Sequence, residues 1–172
     1  RFHWQLLAGV SGQRESLYFP DGDHLGSQRI ARVQQGILKM RMEDTMSESK
    51  RESLRILLEQ LEGETISIHY GIRELWFHNE TWKSELRLLF LGSYQVTVSR
   101  VAFLHRRQGT MTKVLSFLED FCKQNQIQRI LIQSVETPEM AAFCVKNGFT
   151  PNPDASFLAD GCVLGDYIKN IK

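Results

Sequence analysis

The stretch of sequence that decides the fold reads Val101-Ala102-Phe103-Leu104-His105-Arg106-Arg107-Gln108-Gly109-Thr110-Met111. An apolar strand runs into a short loop with one glycine, and the apolar spacing after Gly109 predicts a helix that begins at once. The first amides of a helix have no intrahelical acceptor, and its N-terminus carries partial positive charge. Such a junction suits a phosphate or pyrophosphate, which Gly109 allows the backbone to approach closely.

The charge around this junction is positive, although the whole chain is nearly neutral. Arg106 and Arg107 add positive charge in the loop, and Lys113 follows close behind. The chain has 21 Lys and Arg against 20 Asp and Glu, a net charge of +1. Global electrostatics therefore favour neither nucleic acid nor an anionic membrane as a partner. The patterns GxxxxGK[ST] and GxGxxG of other phosphate-binding loops are absent.

The residues after the junction predict a helix, a buried strand and a second helix. The first helix has an apolar stripe, which consists of Met111, Val114, Leu115, Leu118, Phe121 and Cys122. The strand over residues 127–135 is almost continuously apolar, as expected when both faces are covered. Thr137 and Pro138 predict the N-cap and first residue of a helix that ends at Gly148. This order predicts a parallel pair of strands with a right-handed crossover.

The residues before the junction predict a helix followed by an antiparallel meander. Thr45 and Glu48 fit a capping box, and Gly63 fits a left-handed stop. An apolar stripe lies between them, at Leu54, Leu57, Leu58 and Leu61. The residues of the other face carry charges of both signs, which predicts that this face is solvated. They are Lys50, Arg51, Glu52, Arg55, Glu59 and Glu62. Short apolar runs then predict consecutive strands, at residues 66–70, 75–77, 86–91 and 96–103.

The two ends of the chain add further elements. Residues 2–7 predict a first strand, and residues 30–42 favour a helix. Two short strands are predicted around residues 156–158 and 162–171. Together the elements predict the α+β class, with a central mixed, mostly antiparallel sheet flanked by helices on both faces.

Length and composition predict one domain. The chain has 172 residues, of which 42% are hydrophobic and 24% charged, enough for a core without disulfides or metal. Three cysteines, Cys122, Cys144 and Cys162, fit reduced thiols in the cytoplasm rather than a disulfide framework. No apolar run approaches the roughly 20 residues of a membrane span. No metal-binding motif is present, so we expect a cytoplasmic protein with no metal.

Two blocks of this sequence resemble the GCN5-related N-acetyltransferase superfamily. The pyrophosphate loop of that superfamily reads [RQ]-x-x-G-x-[GA], and residues 106–111 read RRQGTM. Its second block is a helix that ends like F-Y-x-K-x-G-F, and residues 143–149 read FCVKNGF. One helix and one buried strand separate the blocks, as in the superfamily. The resemblance implies that residues 1–172 form a single domain, with a sheet core over 64–172 and a variable N-terminal part over 1–63.

The resemblance implies acetyl-CoA binding and direct transfer of an acetyl group to an amine of a small molecule, peptide or protein. The main chain of Val101, Ala102 and Phe103 would pair with the pantetheine arm like an added strand. The pyrophosphate would be held by the loop, that is by Arg106, Arg107, Gln108, Gly109, Thr110 and Met111. The backbone N–H of Val101 or a neighbour would polarise the thioester carbonyl, which is oxyanion stabilisation without a special side chain.

Three residues depart from the superfamily's pattern. Met111 replaces a small loop residue, and it either crowds the phosphate or turns into the core. Thr137 stands where many members have an Asn that contacts the cofactor arm, although an N-cap role also explains a threonine there. Cys144 takes the position of the tyrosine that is often assigned as general acid. A thiol with a pKa near ~8.5 is able to donate a proton, and an inert buried cysteine is the alternative.

The general base, the acceptor and the activity itself are left open by the sequence. The candidate bases are Glu80, Glu85, His69 and His78, each of which also fits a plain surface or hairpin position. The hairpin with Trp76 and Trp82 is either a sheet face or a wall of the acceptor cleft. The alternative function is a non-catalytic module of the same fold that binds CoA or a protein partner. Edge strands near the C-terminus are available to pair across a homodimer.

Overall fold

The helices and strands described below lie in residues 45–172, the part of the chain that the computed structural model describes. The helices are α1 (Glu48–Glu62), α2 (Thr110–Gln124) and α3 (Pro138–Lys146). The strands are β1 (Ser67–Gly71), β2 (Glu74–His78), β3 (Glu85–Leu91), β4 (Gln95–Ala102), β5 (Arg129–Val135), β6 (Thr150–Ala159) and β7 (Cys162–Asn170). The strand predicted at residues 2–7 and the helix predicted at 30–42 lie outside the described residues.

The seven strands of residues 45–172 form one sheet in the order β1-β2-β3-β4-β5-β7-β6. β4 and β5 are parallel, and every other neighbouring pair is antiparallel. β5 lies inside the sheet, and Ile130, Leu131 and Ile132 are all buried, which explains its continuous apolar run. The predicted α+β class with a mixed, mostly antiparallel sheet is confirmed.

The three described helices pack on the same face of this sheet. β5 and β6 are each antiparallel to β7 and are therefore parallel to each other. The β4–α2–β5 and β5–α3–β6 connections thus each join two parallel strands, and both lead toward the same edge of the sheet. Right-handed crossovers in one direction place their helices on one face. Lys169 of β7 reflects this arrangement, because its Nζ bonds Glu119 of α2 at 2.6 Å and lies 5.8 Å from the ring centre of Phe149, just after α3. Of the helical layers predicted for the two faces, residues 45–172 contribute one.

Helix α1 begins and ends close to its predicted bounds. Ser47, rather than the predicted Thr45, is the N-cap residue. Gly63 ends the helix with φ 71°, and its N–H bonds the carbonyl of Glu59 at 2.8 Å. Leu54 and Leu58 pack into the core shared with α2 and the sheet, with at most 2% of each residue exposed.

Candidate functional site

The two parallel strands β4 and β5 separate halfway along their length. Residues 95–98 of β4 pair with residues 129–132 of β5, but β4 continues to Ala102 and β5 to Val135. In the part of the chain that the structure describes, no strand fills the gap between these two ends. The gap leaves the edge of β4 open from Ser99 onward, where an extended ligand is able to pair with the main chain.

A β-bulge lies at the point where the strands part. Leu88 of β3 is opposite Val98. The preceding residue of β3, Arg87, is opposite Arg100, which leaves Ser99 as the extra residue. A bulge bends and twists the strand that carries it, and bulges are common beside active sites. The separation of the strands is thus built into the backbone of β4.

The loop after β4 enters α2 through backbone in the left-handed region. Arg107 has φ 62°, and Gly109, the N-cap residue of α2, has φ 85°. The amide of Lys113 bonds the carbonyl of Gly109 at 3.1 Å. The amides before Lys113 therefore belong to the unsatisfied end of the helix. A Cβ at Gly109 would meet no heavy atom within 4 Å, so there is free space directly beside this residue.

The loop side chains put positive charge beside that helix end. Arg106, Arg107 and Gln108 are all exposed. Neither arginine takes part in any of the five ion pairs of the described residues. Both guanidinium groups are thus available to phosphate oxygens, which they bind in charge-assisted hydrogen bonds.

A buried carboxylate holds both ends of this loop. Glu62, the last residue of α1, is 2% exposed. Its Oε2 accepts hydrogen bonds from the Leu104 amide at 2.7 Å and from the Ser84 hydroxyl, and its Oε1 accepts one from the Thr110 hydroxyl at 3.2 Å. His105 Nε2 lies 3.1 Å from the backbone carbonyl oxygen of Glu62. Leu104 lies at the start of the loop and Thr110 at the start of α2, so one residue connects the two.

The prediction that Glu62 belongs to a solvated charged face of α1 is wrong. Arg51, from the same predicted face, is also buried, and it donates a hydrogen bond to the carbonyl of Met46 at 2.8 Å. A sequence signal for Glu62 did exist. It lies four residues after Leu58 and eight after Leu54, which is the spacing of the buried stripe of a helix.

The residues predicted to bind a cofactor beside the loop come together at one end of the sheet. Val101 and Phe103 are half-buried against the core, whereas Ala102 is opposite Glu85 on β3. Met111 is half-buried and packs against the same core. Of the two alternatives for Met111, the structure therefore favours the one in which the side chain turns into the core.

Thr137 caps α3. Its Oγ1 accepts a hydrogen bond from the Met140 amide at 3.3 Å, and Pro138 follows it in the first turn. These contacts favour the N-cap explanation of Thr137 over a contact with the cofactor arm.

Replacement of Thr137 by alanine is therefore expected to lower the free energy of unfolding by about 1 kcal/mol. Affinity for CoA should change less than about twofold, and Thr137→Ser should restore the stability because serine caps equally well. Urea unfolding and a CoA titration measure the two effects. A large loss of CoA affinity with unchanged stability would instead assign Thr137 to the cofactor.

Cys144 lies on the buried face of α3 and is 0% exposed. Burial raises the pKa of its thiol to about 12. A group with so high a pKa is a poor proton donor to a departing thiolate at neutral pH, because efficient acid catalysis needs a pKa near the operating pH. The structure therefore favours the inert cysteine over the general acid.

Replacement of Cys144 by alanine is expected to leave kcat and its pH profile unchanged. Removal of a true general acid lowers the rate about 10²- to 10⁴-fold, which is easily distinguished. Cys162→Ala is the control, since Cys162 is a half-buried cysteine of β7. A drop in kcat of that size in a folded Cys144 variant would restore the catalytic assignment.

The Trp76–Trp82 hairpin forms an aromatic cluster on the sheet face away from the helices. The rings of His78 and Trp82 are parallel, with centres 3.5 Å apart, and His69 stacks on His78 at 4.7 Å. Trp76 meets Trp82 edge to face at 5.1 Å. His69 and His78, two of the candidate bases, are thus stacked with neighbouring rings.

The other two candidate bases differ in their position relative to the end of β4. Glu80 is exposed in the turn between β2 and β3. Glu85 is 8% exposed, accepts a hydrogen bond from Arg100 Nε at 2.6 Å, and is opposite Ala102 at the end of β4. Of the four, Glu85 is the residue that pairs across the sheet with a residue of the open strand end.

No helix of residues 45–172 has the length and apolar character that a bilayer crossing requires. No three His, Cys, Asp or Glu side chains in that range lie close enough together to hold a metal ion.

Comparison with known proteins finds likeness in structure. No family model matches the chain, and no curated protein does. Nourseothricin acetyltransferase superposes with a TM-score of 0.43 and 11% identity, over 58% of this chain and 65% of its own, which is less than two thirds. An acetyltransferase from Bacillus subtilis, in complex with CoA, superposes with a TM-score of 0.43 and 15% identity, over 58% of this chain and 78% of its own. An Agrobacterium tumefaciens protein described as an acetyltransferase superposes with a TM-score of 0.44 and 13% identity, over 92% of this chain and 100% of its own.

The three superposed proteins bear the name acetyltransferase, and the two sequence blocks of this chain resemble an acetyltransferase superfamily. With identities of 11–15% and TM-scores of 0.43–0.44, these likenesses carry no argument about the ligands or the activity of this chain.

Proposed function

We propose that this chain is a CoA-dependent N-acyltransferase of the GCN5-related superfamily, which transfers an acetyl group from acetyl-CoA directly to an amine. The observation that carries the proposal is the course of β4. This strand leaves β5 at Ser99 and leads directly to the Gly109 turn at the start of α2. An open strand edge and an anion-accepting helix end thus follow one another, as the pantetheine arm and the pyrophosphate of CoA require.

The pyrophosphate would bind at the N-terminus of α2. The amides of residues 109–112 would donate to its oxygens, and Arg106 and Arg107 would add charged donors from the loop. Each charge-assisted hydrogen bond contributes about 1.5–3 kcal/mol. Gly109 leaves the space in which the phosphates approach, since a Cβ there would point into open space.

The pantetheine arm would lie along the open edge of β4, paired with the main chain of Val101, Ala102 and Phe103. The acetyl group would then lie in the gap between β4 and β5, where the Val101 amide or a neighbour stabilises the oxyanion. An amine held in the same gap would attack the thioester carbon and form the new C–N bond as the C–S bond breaks. CoA would leave as its thiolate and take up a proton from solvent. The rate enhancement would come from proximity and oxyanion stabilisation. Glu85 is our candidate for the base that removes the amine's proton through water, because it is opposite Ala102.

The test is a calorimetric titration of the purified chain with acetyl-CoA, desulfo-CoA and ADP. Micromolar binding of acetyl-CoA with partial affinity for ADP is expected, because ADP retains the pyrophosphate. Thiol release is then measured on a panel of amines. A folded chain that binds none of the three compounds would contradict the proposal. Saturable CoA binding without thiol release on any amine would favour the non-catalytic module.

A further inference from the structure

Glu62 is a buried carboxylate without a cationic partner among the described residues. None of the five ion pairs in residues 45–172 includes it. A buried charge is costly unless it is paired or hydrogen-bonded. Here the Ser84 hydroxyl, the Leu104 amide and the Thr110 hydroxyl compensate it. Thr110 is also the first residue of α2, whose positive end favours a carboxylate.

The three donors come from three different elements of the fold. Ser84 precedes β3, Leu104 follows β4 and Thr110 begins α2. The two ends of the loop are therefore tied to one side chain. The residues between them, at 105–108, are all exposed, and His105 among them contacts the backbone carbonyl of Glu62 rather than its side chain. The Glu62 side chain therefore holds the loop at its two ends.

We infer that Glu62 is a positioning residue for the loop of residues 104–110. By joining Leu104 to Thr110, it sets the distance between the end of β4 and the start of α2, and with it the spacing of the amides at that helix end. The identity of the ligand, the pyrophosphate of CoA, rests on the proposed function. The anchoring of the loop does not.

Two replacements of Glu62 separate its charge from its hydrogen bonds. In Glu62→Gln, the amide oxygen is able to accept from Leu104 and Ser84. The amide nitrogen then meets the Thr110 hydroxyl, which accepts as well as donates. Glu62→Ala loses all of these contacts. Glu52→Ala is the control, because Glu52 is an exposed residue of the same helix that pairs only with Arg55 at the surface.

The expected result is a loss of cofactor affinity in the alanine variant alone. Glu62→Ala should weaken CoA binding about tenfold or more, whereas Glu62→Gln and Glu52→Ala should stay within about threefold of the unchanged chain. In turnover, Glu62→Ala should raise KM for acetyl-CoA while kcat at saturation changes little. Thr110→Val, which removes one donor and keeps the shape, should have an intermediate effect and gives a second test if Glu62→Ala does not fold.

Hydrogen exchange without any ligand tests the anchoring by itself. The amides of residues 104–110 should exchange faster in Glu62→Ala than in Glu62→Gln, while those in the middle of α2 remain protected in both. If the unchanged chain binds no CoA but this difference appears, the proposed function fails and the anchoring stands. If the chain binds CoA, and Glu62→Ala and Thr110→Val leave both affinity and loop exchange unchanged, the inference is overturned.

Discussion

Replacement of Gly109 by aspartate is expected to weaken CoA binding about a hundredfold or more. Gly109 is the N-cap residue of α2 with φ 85°, and aspartate and asparagine are among the side chains that tolerate this backbone region. Both variants should therefore fold. The added carboxylate would lie where the pyrophosphate approaches and would repel it.

Gly109→Asn separates the charge of this carboxylate from its bulk. Asparagine is nearly the same size and uncharged, so we expect a loss of only about tenfold. Calorimetric titration with acetyl-CoA measures both variants. Gly161→Asp is the matched control, because Gly161 also has positive φ, 77°, and open space around its Cβ position, but lies in the turn between β6 and β7. Equal affinity in the Gly109 and Gly161 aspartate variants would contradict the assigned pyrophosphate site.

Replacement of Gly165 by alanine should have the largest effect on stability, lowering the free energy of unfolding by about 3–5 kcal/mol. Its Cβ would lie 2.3 Å from the carbonyl oxygen of Ala155 and 2.8 Å from the Cα of Ser156, and the residue has φ 108°. Both neighbours are backbone atoms of β6, so the strand itself would have to move. Gly165 is also opposite Val135, the last residue of β5, so a displaced β7 would disturb the β5 side of the gap.

Gly161→Ala in the same hairpin is the control for this prediction. An alanine at φ 77° would be strained by the left-handed backbone but would clash with no other atom. The free energy of unfolding should therefore fall by about 1–2 kcal/mol. Urea unfolding of both variants gives the comparison. If the two substitutions cost the same, the close approach of β6 to β7 at Gly165 does not limit stability.

Much of the fold was predictable because its signals are local. The apolar periods of α1, α2 and β5 occur within single elements, and each agrees with the structure. Turn and cap chemistry is equally local, as Thr137 and Gly63 show. The prediction of an anion site at the start of α2 is local in the same way, since it uses one strand, one glycine and one helix in immediate succession.

The features that were missed depend on pairing between distant parts of the chain. The bulge at Ser99 shows in the sequence only as a change of phase in the apolar alternation, from Val96 and Val98 to Val101 and Phe103, and its position is defined by the pairing with β3. Which face α2 and α3 share follows from the direction of two crossovers, and this requires the strand order. The role of Glu62 requires donors that lie 22, 42 and 48 residues further along the chain.

The sequence by itself determined the elements of this protein and the resemblance to an acetyltransferase superfamily, because each of these depends on neighbouring residues. The tertiary structure alone decided that β4 and β5 part beyond Val98, that Cys144 is sealed in the core, and that Glu62 lies beneath the loop. The physical reason is that burial raises the cost of any unpaired charge or hydrogen-bonding group. Which groups are buried together is settled only when distant segments pack.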